Sequence, residues 1–164
     1  MLEVVGGDLD EWKEFYPDDN KTMTMHTAEA LSKYVVIKAY IYYDHAGNMS
    51  NRSLHSGIII YVNNAPIIWY SKFQNIVEDS RFLPEFVALR ITTGMIEYLQ
   101  YKLRCFGVLV DGPSEIFCEN KSADMNLIIP TSILNLIHNA ICYHRVRESH
   151  ASGVLRVGWI SGGI

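Results

Sequence analysis

The order of strand-like and helix-like patterns along the chain is the feature that most constrains its fold. Residues 35–43, 57–62 and 67–70 are rich in β-branched and aromatic side chains, which favour strands. Turn-forming residues at 45–48 and 63–66 join these runs closely, so we expect an antiparallel meander. The run 57–62 is apolar throughout and is predicted to be buried on both faces.

The hydrophobic period lengthens after this meander, which predicts a helix from Pro84 to about Phe106. Proline suits the first helical turn, because the N–H that it lacks would have no partner there. The stripe expected to face the core is made up of Phe86, Leu89, Thr93, Ile96 and Leu103.

The remaining patterns complete an α/β order. We expect a fourth strand at 115–118, a short helix starting at Ser122, a helix capped by Ser132 and a last strand at 154–160. The predicted order is therefore β-β-β-α-β-α-α-β, which indicates one mixed five-stranded sheet flanked by helices.

Length and composition indicate one folded domain. The chain has 164 residues, of which 49% are hydrophobic and 20% are charged, as in ordinary soluble domains. Segment 1–33 is polar and is predicted to be an irregular lead-in, whereas residues 34–164 form the domain. Trp12, Phe15 and Tyr16 are expected to pack this lead-in onto the sheet.

Charge and hydropathy argue against several classes of protein. The formal net charge of −4 disfavours a free-standing nucleic-acid binder, although it leaves room for a local basic strip. No apolar run reaches the roughly 18 residues of a membrane span, and residues 1–10 lack the basic stretch of a secretion signal. We therefore expect a protein without membrane contact, located inside the cell in the cytoplasm or nucleus.

The cysteines indicate a reducing compartment. Cys105, Cys118 and Cys142 are odd in number, scattered and set in apolar surroundings. This usage is typical of reduced free thiols, which we predict to be buried. The absence of CxxC spacing disfavours a zinc site.

The stretch 116–123 carries the clearest chemical signal. An apolar strand ends there in Glu119 and Asn120, and Ser122 opens the predicted helix. A carboxylate at the carboxyl end of a strand is held rigidly and opens toward solvent, which suits it to bind a divalent metal. The alternative for Glu119 is a solvated acid at the end of a strand.

Five motifs follow one another in a recognisable order and spacing. They read DHAG…R…SG at 44–57, APIIWYSKFQ at 65–74, EFVAL at 85–89, CENKSA at 118–123 and HNAICYHRVRE at 138–148. The consensus forms that they resemble are DADxAG…R…SG, APIxWxSKxQ, EYxAL, CDNxxA and KHxxxxYHxVRE. Each motif is weak alone, but together they make the chain resemble the RNase H domain at the end of copia-type retrotransposon polyproteins.

The resemblance implies an RNase H-like fold and cleavage of RNA in an RNA–DNA hybrid. In that family, carboxylates hold two Mg²⁺ ions (or Mn²⁺), which activate water and stabilise the leaving oxygen. Carried over by position, the catalytic and metal-binding residues are Asp44, Glu85 and Glu119. The first Asp of the family falls on Tyr42, and its last falls on Ala140.

The residues at these two positions lead us to expect weak or absent cleavage. A phenol stays protonated at neutral pH and cannot replace a bridging carboxylate, and alanine has no ligand atom. Asp44 lies two residues from Tyr42, which is about 6–7 Å along a strand and too far to substitute. The alternative function is a catalytically inactive domain that binds nucleic acid or protein. A turn-forming role for Asp44 and a helix-dipole role for Glu85 also stay open.

The resemblance also implies partners, namely an RNA–DNA hybrid and the rest of a reverse transcriptase polyprotein. The basic residues expected to contact the phosphates of the hybrid are Arg52, Lys72, His138, His144, Arg145 and Arg147. Those near the C-terminus are equally well explained as an ordinary polar helix face. Trp69 and Tyr70 are interpreted as core and rim residues, with base stacking as the alternative.

Overall fold

The computed structural model describes residues 9–18, 28–31, 33–44, 54–74, 83–119 and 140–160. The helix start predicted at Ser122 and the N-cap predicted at Ser132 lie outside these residues. The elements are α1 (Leu9–Phe15), β1 (Tyr34–Val35), β2 (Ile37–Asp44), β3 (Leu54–Val62), β4 (Ala65–Gln74), α2 (Leu83–Cys105), β5 (Leu109–Val110), β6 (Ser114–Cys118), α3 (Ala140–Ala151) and β7 (Leu155–Trp159).

Five strands form one mixed sheet in the order β4-β3-β2-β6-β7. Strands β2, β3 and β4 pair antiparallel, as the short turns predicted, whereas β6 and β7 run parallel to β2. The predicted mixed α/β sheet flanked by helices is therefore confirmed. Parallel neighbours need a long crossover connection, and α2 supplies the one between the meander and β6.

A second, two-stranded sheet ties the end of α2 to the start of β2. Strands β1 and β5 pair parallel, and the Asp111 amide donates to the Val35 carbonyl at 2.8 Å. The chain turns into β5 at Gly107, where φ is +74° and an added Cβ would lie 2.4 Å from the Glu29 carbonyl oxygen. Only glycine fits this close approach without strain.

The core lies between the sheet and the helices α2 and α3. Ile37, Ala39 and Ile41 point from β2 to this inner face, where Phe86 and Leu89 of α2 pack. Burying each large apolar side chain contributes about 1.5–3 kcal/mol, so this layer supplies much of the stability. The predicted helix and its core-facing stripe are confirmed. None of the described helices is both long and apolar enough to cross a membrane.

Polar contacts join α2 to α3 and to the start of β6. The Glu97 carboxylate accepts hydrogen bonds from Arg145 Nη2 at 2.5 Å and from Ser149 Oγ at 2.6 Å. The buried Gln100 amide donates to Ser114 Oγ at 2.9 Å and to the Val154 carbonyl at 3.0 Å. These contacts fix how far α3 can slide along α2.

The lead-in contains a helix, so the prediction that segment 1–33 is irregular was wrong for α1. Trp12 is fully buried, and its ring centre lies 4.9 Å from that of His150 on α3. It therefore packs against α3, not onto the sheet as expected, and Phe15 is exposed. Long-range contacts with α3 thus hold a helix in a segment whose local pattern gave no helix signal.

The cysteines are free thiols in the structure. Cys118 is buried and Cys142 is half-buried, but Cys105 is exposed at the end of α2. The prediction that all three are buried was therefore wrong for Cys105, which stands where the helix leaves the core.

His150 predicts how stability depends on pH. Burial, and to a lesser degree the charges of Arg156 and Arg147, lowers its pKa from 6.5 to about 4. Between these pH values the unfolded chain binds a proton that the folded chain does not, so the stabilisation is full above pH 6.5 and is lost as pH falls toward 4. We expect the native chain to lose about 2 kcal/mol more than His150→Gln between about pH 7 and pH 5 in urea unfolding. Equal losses in the two proteins would show that another group governs acid sensitivity.

Candidate active site at the carboxyl ends of the strands

The carboxyl ends of β2 and β6 meet at one edge of the sheet. The two strands are parallel and in register, with Ile41 opposite Cys118 as the last pair. The next residues along each strand, Tyr42 and Glu119, therefore stand at the same level. Asp44, the last residue of β2, lies two positions further toward this edge. We call this end of the molecule the carboxyl edge.

Helix α2 brings Glu85 to the same edge. The last turn of α2 lies next to β5, and β5 pairs with β1 at the amino end of β2. A helix of 23 residues is about 34 Å long, and α2 packs along β2 and β3, so its first turn lies at the opposite end of these strands. Glu85 is the third residue of α2, and its backbone therefore stands at the carboxyl edge.

The described part of helix α3 also begins near the carboxyl edge. Its last turn leads through Gly153 into β7, whose amino end pairs with that of β6. The Tyr143 ring, near the start of α3, lies 5.8 Å from the Phe86 ring in the first turn of α2. The backbone of Ala140, where the motif comparison expects an acid, therefore stands beside the turn that carries Glu85.

The backbone at Glu119 is fixed, whereas its carboxylate is exposed. The indole Nε1 of Trp159 donates to the Glu119 carbonyl at 3.0 Å, and the Ile160 amide donates to the Cys118 carbonyl at 3.0 Å. The strand end is thus held from β7, and the side chain of Glu119 faces solvent. This is the environment that the sequence predicted for a metal-binding carboxylate, and it equally fits a solvated acid.

Lys72 is the predicted phosphate contact that the structure places closest to the carboxyl edge along the sheet. It is exposed on β4, opposite Ser56, which in turn pairs with Tyr43. Two strand spacings separate it from β2, or about 10 Å, which is within the width of a nucleic-acid duplex. Arg52 and His138 lie outside the described residues.

Arg147 is not available to a nucleic acid, so the expectation that it contacts phosphates was wrong. It is 3% exposed, and its guanidinium carbon lies 4.8 Å from the ring centres of both Trp12 and Tyr143. It also donates a hydrogen bond to the Tyr143 hydroxyl. The cation is held between aromatic rings, where it fastens α1 onto α3.

His144 and Arg145 are exposed but have protein partners. The Tyr16 hydroxyl lies 3.2 Å from Nδ1 of His144. Arg145 pairs with Glu97 at 2.5 Å and with Glu148 at 3.7 Å, so two carboxylates offset its charge. The basic strip predicted along this helix therefore has less free positive charge than its sequence suggests.

Trp69 is exposed over 75% of its surface, so its interpretation as a core residue was wrong. Its neighbour Tyr70 is half-buried and packs against the core, because successive residues of a strand face opposite sides. The alternation of Ile68 and Tyr70 with Ile67 and Trp69 does not reveal which pair faces inward, since both are apolar.

Comparison with known proteins identifies two curated relatives, and no family model matches the chain. They are the retrovirus-related Pol polyproteins of transposons RE1 and RE2 from Arabidopsis thaliana. Each is 30% identical over 125 residues, which cover 76% of this chain. The match spans only 8% of the RE1 polyprotein and 9% of the RE2 polyprotein.

The fold is shared with a solved ribonuclease. LC11-RNase H1, solved in complex with an RNA/DNA hybrid, superposes with a TM-score of 0.53 over 77% of this chain and 84% of its own. At 15% identity this likeness shows the fold alone. Together, the polyprotein relatives and the fold match the chain to the RNase H region of retrotransposon Pol polyproteins.

The different surroundings of the two arginines predict different costs of removal. Arg147→Ala leaves a cavity between the rings of Trp12, Tyr16 and Tyr143 and should destabilise the chain by about 2–4 kcal/mol. Arg145→Ala removes a half-exposed ion pair and should cost at most about 1 kcal/mol. Urea unfolding of the two variants measures both values. A cost for Arg147→Ala no larger than that for Arg145→Ala would contradict the structural role of Arg147.

Proposed function

We propose that this chain is the RNase H domain of a copia-type retroelement Pol polyprotein, with metal-dependent cleavage of RNA in RNA–DNA hybrids that is weak or lost. What supports the proposal is that the topology brings the backbones of Asp44, Glu85 and Glu119 to the carboxyl edge. These residues are separated by up to 75 positions in the sequence; Asp44 ends β2, Glu85 lies in α2, and Glu119 directly follows β6. Ligands of α/β sheets bind at such carboxyl ends.

The types of ligand atom at the carboxyl edge suit a hard divalent metal. Asp44, Glu85 and Glu119 offer only carboxylate oxygens, the donors that Mg²⁺ and Mn²⁺ prefer. Bound there, such an ion would activate water and stabilise the departing oxygen. Two of the four positions that the family fills with acids hold Tyr42 and Ala140 instead, so the set of ligands is incomplete. Incomplete metal binding is the physical reason for expecting weak cleavage.

The remaining features of the edge suit a polyanionic substrate. The first turn of α2 lies there, and the positive end of its dipole favours phosphate groups. Lys72 adds a positive charge on β4, two strands away from β2. In this proposal Glu85 and Glu119 hold the metal with help from Asp44, and Lys72 contacts the backbone of the hybrid.

A catalytically inactive binding domain is the second candidate. The observation that favours it is the combination of an intact scaffold with non-acidic residues at positions 42 and 140. In such a domain the carboxyl edge would bind nucleic acid or a partner segment without cutting. In either case we expect the rest of a reverse transcriptase polyprotein as a partner, and a location in the cytoplasm or nucleus.

Restoring the two missing acids tests whether the scaffold is still competent. We expect Tyr42→Asp combined with Ala140→Asp to raise the rate of hybrid cleavage in Mg²⁺ at least about tenfold, because carboxylate ligands then surround the metal. The matched control, Tyr98→Asp with Ala65→Asp, adds the same charge at exposed positions away from the edge. No gain over this control would favour the inactive binding domain.

Metal binding by the native chain separates the two candidates directly. We expect Mn²⁺ binding, measured by calorimetry, to weaken at least about tenfold in Glu85→Gln, because one charged ligand is lost. The control Glu115→Gln removes an acid that pairs with Lys38 at 3.4 Å at the other end of the strands, and it should leave binding unchanged. Hybrid binding that needs no metal and falls steeply with salt would instead support the inactive binder.

A further inference from the structure

The face of the sheet that points away from α2 and α3 carries a concentration of aromatic and aliphatic side chains. We call it the outer face. Because residues alternate along each strand, it collects every second residue of the central strands. Its members include Lys38, Tyr40, Tyr42, Gly57, Ile59, Tyr61, Ile67 and Trp69.

One row of three aromatic rings and one isoleucine side chain crosses this face from strand to strand. Trp69 on β4 stands opposite Ile59 on β3, which stands opposite Tyr40 on β2, and Tyr40 stands opposite Phe117 on β6. The rings of Tyr40 and Phe117 stack at 5.2 Å, and Tyr61 meets Tyr40 edge-on at 5.8 Å. These contacts hold the middle of the row in place.

Two rings of the outer face are open to solvent: Trp69, at one end of the row, and Tyr42, two residues along β2 from Tyr40. Trp69 is 75% exposed and Tyr42 is 56% exposed, and they border a hollow of about 810 Å³. Gly57 stands opposite Tyr42 and Ser71 and has no side chain to fill this hollow. A Cβ added at Gly57 would lie 3.9 Å from the Cβ of Tyr42. The hollow is large enough to take more than one planar ring against its aromatic walls.

We propose that the outer face is a stacking platform for the bases of single-stranded nucleic acid. Aromatic side chains spaced along a sheet bind bases of any sequence, because every base presents a π-face. Asn64 is exposed at the hollow, and its amide offers hydrogen bonds to base edges, whereas Asn63 Oδ1 accepts from the Val36 amide at 3.0 Å. Stacking on a ring does not distinguish ribose from deoxyribose, so RNA and DNA are expected to bind alike.

The position of the platform favours nucleic acid over a protein partner. Tyr42 stands level with Glu119, so the platform is continuous with the carboxyl edge. A single strand extending from a hybrid bound at that edge could reach Tyr42 first and Trp69 next. This argument of continuity rests on the proposed function, whereas the exposure and spacing of the rings do not.

The charges of the platform indicate how binding should respond to salt. Lys38 is paired with Glu115 at 3.4 Å, which leaves little positive charge for phosphates. Stacking, not counterion release, then supplies the affinity. We expect the slope of log K against log salt to correspond to no more than about two phosphate contacts, far below the slope of a phosphate-binding protein.

The test measures the affinity of the native chain for fluorescein-labelled oligo(dT) and oligo(U) by anisotropy in EDTA, where no cleavage takes place. We expect Trp69→Ala to weaken both affinities at least about tenfold, because base stacking on an aromatic ring contributes roughly that factor or more. Trp69→Phe keeps a flat ring and should retain most of the affinity. Tyr101→Ala, which removes an exposed ring from α2, is the matched control and should change nothing.

Three results of the binding assay would overturn the proposal: no binding by the native chain, equal binding by Trp69→Ala, or a steep salt slope. Sedimentation velocity supplies a fourth test. If the native chain is a dimer that Trp69→Ala dissociates, the outer face binds a second copy and the proposal is wrong. Because every measurement is made without metal, a failure of cleavage at the carboxyl edge leaves this result unaffected.

Discussion

The parallel pairing of β2 with β6 is the constraint on which the rest of the structure depends. Antiparallel neighbours can be joined by a tight turn, but a parallel neighbour requires the chain to travel back the length of the sheet. Here α2 makes that return along the inner face. Its start is therefore forced to the end where both strands finish. Glu85 and Glu119 share one edge because of this connection.

The short pairing of β1 with β5 strengthens the same constraint. It fixes the exit of α2 against the amino end of β2, so the helix cannot slide along the sheet. Gly107 is needed because the chain must pass close to the backbone of Glu29 there. At the other side, Glu97 couples α2 to α3 through two hydrogen bonds. The position of the carboxyl edge is thus set by contacts far from it.

The sequence predicts the parts of this arrangement that are encoded locally. The β-branched runs, the turn residues and the 3.6-residue stripe of α2 are short-range signals, and the structure follows them. Motif order predicted the fold and its relatives, and the topology brings the backbones of Asp44, Glu85 and Glu119 to one edge.

The features that sequence reasoning missed are those decided by distant contacts. Helix α1 forms where Trp12 meets Arg147, residues that are 135 positions apart, so no local window could reveal it. For the same reason Arg147 looked like a solvent-facing cation. Strand β3 is apolar on both sides, which predicted burial on both, yet Ile59 is 38% exposed. A uniformly apolar pattern identifies a strand of a sheet, but it does not show which face of that sheet is covered by helices.

A fold of this kind does not depend on acids at the carboxyl edge, for a physical reason. Clustered carboxylates repel one another and gain little from packing, so acids at a strand end contribute little to stability and their loss can even relieve repulsion. The contacts that hold the edge in place, such as Trp159 to the Glu119 carbonyl and Phe86 to Tyr143, involve backbone atoms or core rings instead. Tyrosine at position 42 and alanine at position 140 therefore change the chemistry of the edge while the contacts that build it remain. The proposed role of the outer face is likewise independent of the acids at the edge. The positions of its aromatic rings are set by the register of the sheet and not by any carboxylate.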